Sequence, residues 1–113
     1  MKTVLAAVAL AILAAPASAQ LYSLDAANCA IGPGGEGVLR IGSGEFSLTD
    51  TDYSRVGGKR DLGNGWFQAV YAMRAEGVEA GREAIAMQIT DEAVTLRFVD
   101  RDGAPEFRAA ACN

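Results

Sequence analysis

Short runs in which apolar and polar residues alternate, each cut off by a glycine-containing or acidic turn, leave this chain few folds to choose from. The clearest pair is Ala84-Ile85-Ala86-Met87-Gln88-Ile89-Thr90 and Val94-Thr95-Leu96-Arg97-Phe98-Val99, separated by Asp91-Glu92-Ala93. A period of two puts Ile85, Met87 and Ile89 on one face, and Val94, Leu96 and Phe98 on the matching face of the returning segment. The two therefore read as a hairpin with one side in a core. A helix over 79–89 is the competing reading, because Ala, Glu, Arg and Met are good helix formers. The run Gly65 to Met73 holds the only Trp and the densest aromatic and β-branched composition, and reads as a central strand. Its apolar face is Phe67, Ala69, Tyr71 and Met73, and its mixed face is Trp66, Gln68, Val70 and Ala72.

The remaining segments are shorter. Val38-Leu39-Arg40-Ile41 and Glu45-Phe46-Ser47-Leu48-Thr49 flank Gly42-Ser43-Gly44, which predicts a hairpin with Leu39, Ile41, Phe46 and Leu48 inward and Arg40 and Glu45 outward. Asp50 to Val56 predicts a turn or single helical turn, and Gly57 to Gly65 a loop. Arg74 to Glu83 reads as a loop or ragged hairpin end. Leu21 to Asn28 fits either a helical turn or an extended lead-in, and Cys29-Ala30-Ile31 a brief strand. The glycine-rich loop Gly32 to Gly37 lacks the Lys-Ser or Lys-Thr and the following helix that a phosphate-cradling loop requires. Asp100 to Gly103 is a turn before a last strand, Glu106 to Cys112, whose alternation puts Cys112 on the face opposite Phe107, Ala109 and Ala111. Six or seven short strands without βαβ spacing predict an all-β fold, a small antiparallel sandwich or barrel.

Residues 1–19 read as an export signal: Lys2, an apolar stretch from Val4 to Ala15, and Ala17-Ser18-Ala19 before Gln20. Pro16 interrupts the apolar run well short of the roughly 20 residues a membrane helix needs. Residues 20–113 then form one small domain. The expected compartment is the periplasm or the outside of the cell. Loss of Lys2 leaves nine basic residues against 14 acidic ones, a balance that argues against nucleic-acid binding and against adsorption to anionic membranes. An oxidising compartment and an even cysteine count predict a single disulfide, Cys29 to Cys112, linking the two ends at the rim of the sheet.

The chain contains no His, which removes the commonest general base, the commonest metal ligand and any Ser-His-Asp or Cys-His arrangement. Neither a cofactor nor catalysis is expected. Asp50-x-Asp52 and Asp100-x-Asp102-Gly103 open like calcium loops but lack the downstream ligands, and read as solvated turns. Arg40, Arg97 and Arg108, with Arg74, are candidates for an outward basic row that meets an anionic partner, or else pair locally with Glu45 and Glu106. Trp66 reads as a cover over one end of the core, with a contact anchor as the alternative.

Ser43-Gly44-Glu45-Phe46-Ser47 resembles, in its first two positions, the Ser-Gly-x-x-Tyr loop that enters the enzyme cleft in periplasmic lysozyme inhibitors of Gram-negative bacteria. Ser47 stands where that motif has Tyr, and the resemblance is confined to this loop. The expected function is thus a non-catalytic binding module for a protein or small ligand of the cell envelope. An accessory or structural subunit and an inhibitor-like protein are the alternatives.

Overall fold

In a computed structural model of the chain, residues 20–112 are described; the export signal expected over residues 1–19 lies outside them. Eight strands run in sequence: β1 (Gln20–Ser23), β2 (Val38–Ile41), β3 (Glu45–Leu48), β4 (Thr51–Gly63), β5 (Trp66–Ala75), β6 (Val78–Ile89), β7 (Ala93–Phe98) and β8 (Glu106–Ala111). Each pairs antiparallel with the next, and β1 pairs with β8, so the meander closes into a barrel. A sandwich is therefore excluded, and the strand count rises above the six or seven expected.

Two strands are added: β1, at the start of the lead-in, and β4, which occupies residues expected to form a turn and a loop. Tyr53 is buried while Asp52 and Ser54 face water, the period of a strand whose outer side is solvated. Gly57, Gly58 and Lys59 disguise it by forming a bulge between the register pairs Val56↔Val70 and Arg60↔Gln68. The strand is then pinned by a tight turn in which Asn64 and Gly65 both have positive φ, +56° and +81°. Glu76 and Gly77 make the equivalent turn between β5 and β6. Those paired positive angles match the right-handed twist of the flanking strands. Residues expected as a loop from Arg74 to Glu83 are consequently the end of β5 and the first half of β6. The helix considered over 79–89 does not form, since β6 spends its backbone groups on β5 and β7.

Cys29-Ala30-Ile31 is likewise not a strand. Residues Ala26–Ala30 wind into a 3-10 helix, begun by the Asp25 carboxylate accepting the Ala27 N–H at 3.0 Å. This segment is tied to the glycine-rich loop by Leu24 N–H to Gly37 O and by the Asn28 side-chain amide to Glu36 O, both 2.9 Å. Cys29 and Cys112 are bonded, with Cα atoms 5.6 Å apart. Ala111 packs against the core and Cys112, the next residue, takes the opposite parity, so the bridge lies outside the core, where alternation placed it.

The core is the barrel interior. Tyr22, Leu39, Phe46, Tyr53, Ala69, Tyr71, Ile85, Met87, Val94, Leu96, Phe98 and Ala109 fill it, and Ile41, Leu48, Phe67, Met73 and Ala111 pack against them. Phe46 stacks on Tyr53 with centroids 4.4 Å apart and meets Tyr71 edge-on at 5.1 Å. An up-and-down barrel has two distinct ends. The turns β3–β4, β5–β6 and β7–β8 share one of them, and Arg101 of the β7–β8 turn closes it. Its guanidinium lies over the Phe98 ring at 4.0 Å and grips the Glu83 carboxylate at 2.5 and 3.0 Å. Glu83 faces inward beside Tyr71 and is nearly buried, so the ion pair replaces the water it has lost.

Candidate functional site

The other end of the barrel, where the β2–β3, β4–β5 and β6–β7 turns gather, is open. A hollow of about 310 Å³ descends there between the strands. Its floor is Phe46, Tyr71 and Met87, and Ile41, Phe67 and Ile89 form its apolar sides. All six carry the inward parity of their strands. Ile89, at the lip, is 39% exposed although its register partner Val94 is fully buried, so the hollow reaches solvent on that side.

Two cations stand in this apolar mouth. Arg55 has inward parity opposite Tyr71. Its N–H donates to Gly44 O at 2.9 Å, and its guanidinium lies close to Gly44, where an added Cβ would stand 3.7 Å from Nη2. Lys59, re-aimed by the bulge, holds Nζ 4.8 Å from the Phe67 ring centroid. Among the described residues the ion pairs are Arg97–Glu106 and Arg101–Glu83, and neither includes Arg55 or Lys59. Burial pushes the Tyr71 phenol above its ordinary pKa, opposed by the positive charge of Arg55 nearby. Tyr71 therefore keeps its proton at neutral pH and is a donor. An apolar floor, a phenol and two cations, with Glu45 lining the same hollow but ion-paired to neither, can hold an anion that carries an apolar body.

A second depression, about 320 Å³, lies against β2–β5 and is lined by Arg40, Ser47, Asp52 and Arg74 among others. Register places these four side by side, with Asp52 directly between Ser47 and Arg74. Arg74 is already occupied by Gly77 O at 2.7 Å. Phe46 and Tyr53 line it as well, and its two arginines face two carboxylates, Asp52 and Glu45, so its charge is balanced where that of the barrel mouth is not.

The sequence-derived candidates are split between two sides of the barrel. Arg40 and Arg74 belong to the β2–β5 surface, whereas Arg97 and Arg108 project from β7 and β8 on the same outer wall as Trp66. The basic row is thus two separate pairs. Arg97 is bonded to Glu106 at 2.8 Å and lies 5.0 Å from the Trp66 ring, the local pairing that was the alternative for it. Arg40, by contrast, is paired in register with Ser47, and Glu45 with Ser54. Trp66 does not cover an end of the core: it lies half-buried on the outer wall beside Arg97, above the small buried Ala86. Asp50 sits in the β3–β4 turn and Asp52 in β4, and Asp100 accepts the Ala84 N–H at 3.3 Å.

Arg55 and Lys59 were not singled out from the sequence. The available clue was Asn64-Gly65, the strongest short-range hairpin pair, which extends β4 back through both residues. Comparison of the chain with protein-family models, with curated proteins and with solved structures gives no match.

Proposed function

We propose that this protein is a small exported binding module, without catalytic activity of its own, that takes its ligand into the open end of the barrel. The observation that carries this reading is the cup itself: a hollow of about 310 Å³ with an apolar floor, and Arg55 and Lys59 outside any ion pair at its mouth. Lys59 is exposed and Arg55 partly buried, so both charges are free to meet an anion whose apolar part enters the hollow. Export is supported by the signal pattern of residues 1–19 and by the disulfide.

The test uses protein recovered from the periplasm of an expressing bacterium and the uncharged probe N-phenyl-1-naphthylamine, whose emission rises in apolar surroundings. Saturable enhancement by the wild type and its loss in Ile89→Trp, which fills the cup from the lip, are the expected results. Absence of saturable enhancement, or equal enhancement in both proteins, would show that the cup is not a binding site.

One further observation favours an inhibitor-like use. Exposed Ser43 and its neighbour Gly44 stand on the rim of the same cup, so an enzyme reached by this loop would also close the cup. Undiminished hydrolysis of bacterial cell walls by lysozyme in the presence of excess protein would remove that reading.

A further inference from the structure

We infer that the occupant of the cup is a small amphipathic carboxylate, with an acyl or aryl body against Phe46, Tyr71 and Met87 and its carboxylate between Arg55 and Lys59. This rests on the cup being the binding site and specifies what enters it.

Size sets the first limit. A hollow of about 310 Å³ is at the lower end of small-molecule sites, which admits a single medium-length chain or one ring system rather than a diacyl lipid. Charge sets the second. Arg55 and Lys59 line the cup together with one carboxylate, Glu45, which leaves a single positive charge in excess at the mouth. A monoanion balances it, whereas a dianion over-fills it and a cation meets repulsion. The protein as a whole is acidic, so general attraction of anions is not the source of this preference; the local pair is.

Donor geometry supplies the third limit. The Arg55 guanidinium, a planar fork suited to a two-oxygen acceptor, stands beside Gly44 at the rim. Tyr71, protonated and adjacent, adds an O–H donor from the floor side. Lys59 is held across the Phe67 ring, so its ammonium and its stem serve the charged and the apolar part of one ligand at once.

Displacement of N-phenyl-1-naphthylamine by decanoate, decanol and decyltrimethylammonium tests the inference at equal chain length. Decanoate is expected to displace the probe at roughly tenfold to a hundredfold lower concentration than decanol, the range a charge-assisted hydrogen bond contributes. Decyltrimethylammonium is expected to be the weakest of the three. Shortening the acid should weaken it by about threefold to fourfold per methylene, and lengthening it should stop helping once the cup is full. Arg55→Gln and Lys59→Gln should each reduce the advantage of decanoate while leaving decanol unchanged. Should Arg55→Gln fail to fold, Lys59→Gln carries the comparison, because Lys59 is exposed. Probe binding with decanoate no better than decanol, or with both variants like wild type, overturns the inference alone. No probe binding at all sinks the cup as a site and this proposal with it.

Discussion

Removing the disulfide is the perturbation whose cost can be worked most directly. Cys29 and Cys112 are separated by 83 residues, so the bond encloses nearly the whole barrel. The chain-entropy relation gives about 15 cal/mol/K for a loop of that size, or about 4.5 kcal/mol at room temperature. Their Cα separation of 5.6 Å is ordinary for a bridge, so native geometry need not be deformed to make it. The closing seam adds a second reason to expect a large effect. β1 and β8 share only the register pairs Tyr22↔Ala111 and Ser23↔Ala110, with Cys112 N–H to Leu21 O beyond them. The double variant Cys29→Ser with Cys112→Ser should therefore lose about 3 to 4.5 kcal/mol, a large part of the 5–15 kcal/mol typical of a small domain. Equilibrium unfolding in urea, followed by Trp66 fluorescence and by circular dichroism, measures it. The slope of free energy on urea should also rise, because the uncrosslinked unfolded chain exposes more surface. A loss under about 1 kcal/mol would refute the reasoning, and so would faster hydrogen exchange confined to β1 and β8 at unchanged global stability.

Arg101→Gln should destabilise by about 1–3 kcal/mol and Glu83→Gln by clearly less, because Glu83 is 9% exposed and loses its counter-charge while the half-exposed Arg101 can turn to water. Equal losses in urea would contradict that asymmetry. All three tyrosines are raised above the ordinary value, chiefly by burial, with Asp91 adding to it at Tyr22 and a nearby arginine opposing it at Tyr53 and Tyr71. The folded barrel therefore holds phenolic protons that the unfolded chain releases near pH 10. Stability is undiminished below about pH 10 and falls as pH climbs through the raised folded-state values. Melting temperatures and phenolate absorbance across that range check it, and ordinary tyrosine titration with an intact fold would contradict it. Glu76 holds φ +52° in the β5–β6 turn, a conformation Asn adopts more readily, so Glu76→Asn should stabilise by up to about 1 kcal/mol, read as an upward shift in melting temperature; no shift would show that the backbone there is already relaxed.

The hairpins β2–β3 and β6–β7 were legible because alternation was uninterrupted and their turns carried recognisable residues. Leu39, Phe46, Ile85, Met87, Val94, Leu96 and Phe98 all face inward as the period of two requires. β4 was not legible. Two consecutive glycines and Lys59 shift its phase by a bulge, and a bulge declares itself only through the partner strand it opposes. The start of β6 was obscured for a related reason. Val78 to Arg82 is exposed along its length, so no apolar period marks it, and only pairing with β5 holds it as strand.

What the amino-acid order settled by itself was the class of structure and the cross-link, because inward alternation and an oxidised cysteine pair are properties of local chemistry. Closure into an eight-stranded barrel, and with it the existence of an open end, was decided by β1 meeting β8, a contact between the two ends of the domain. The assembly of Arg55 and Lys59 over Phe46, Tyr71 and Met87 was decided at the same level. Those residues come from β3 to β6, and no local period relates them; only the register and stagger of the closed sheet bring their side chains to one mouth.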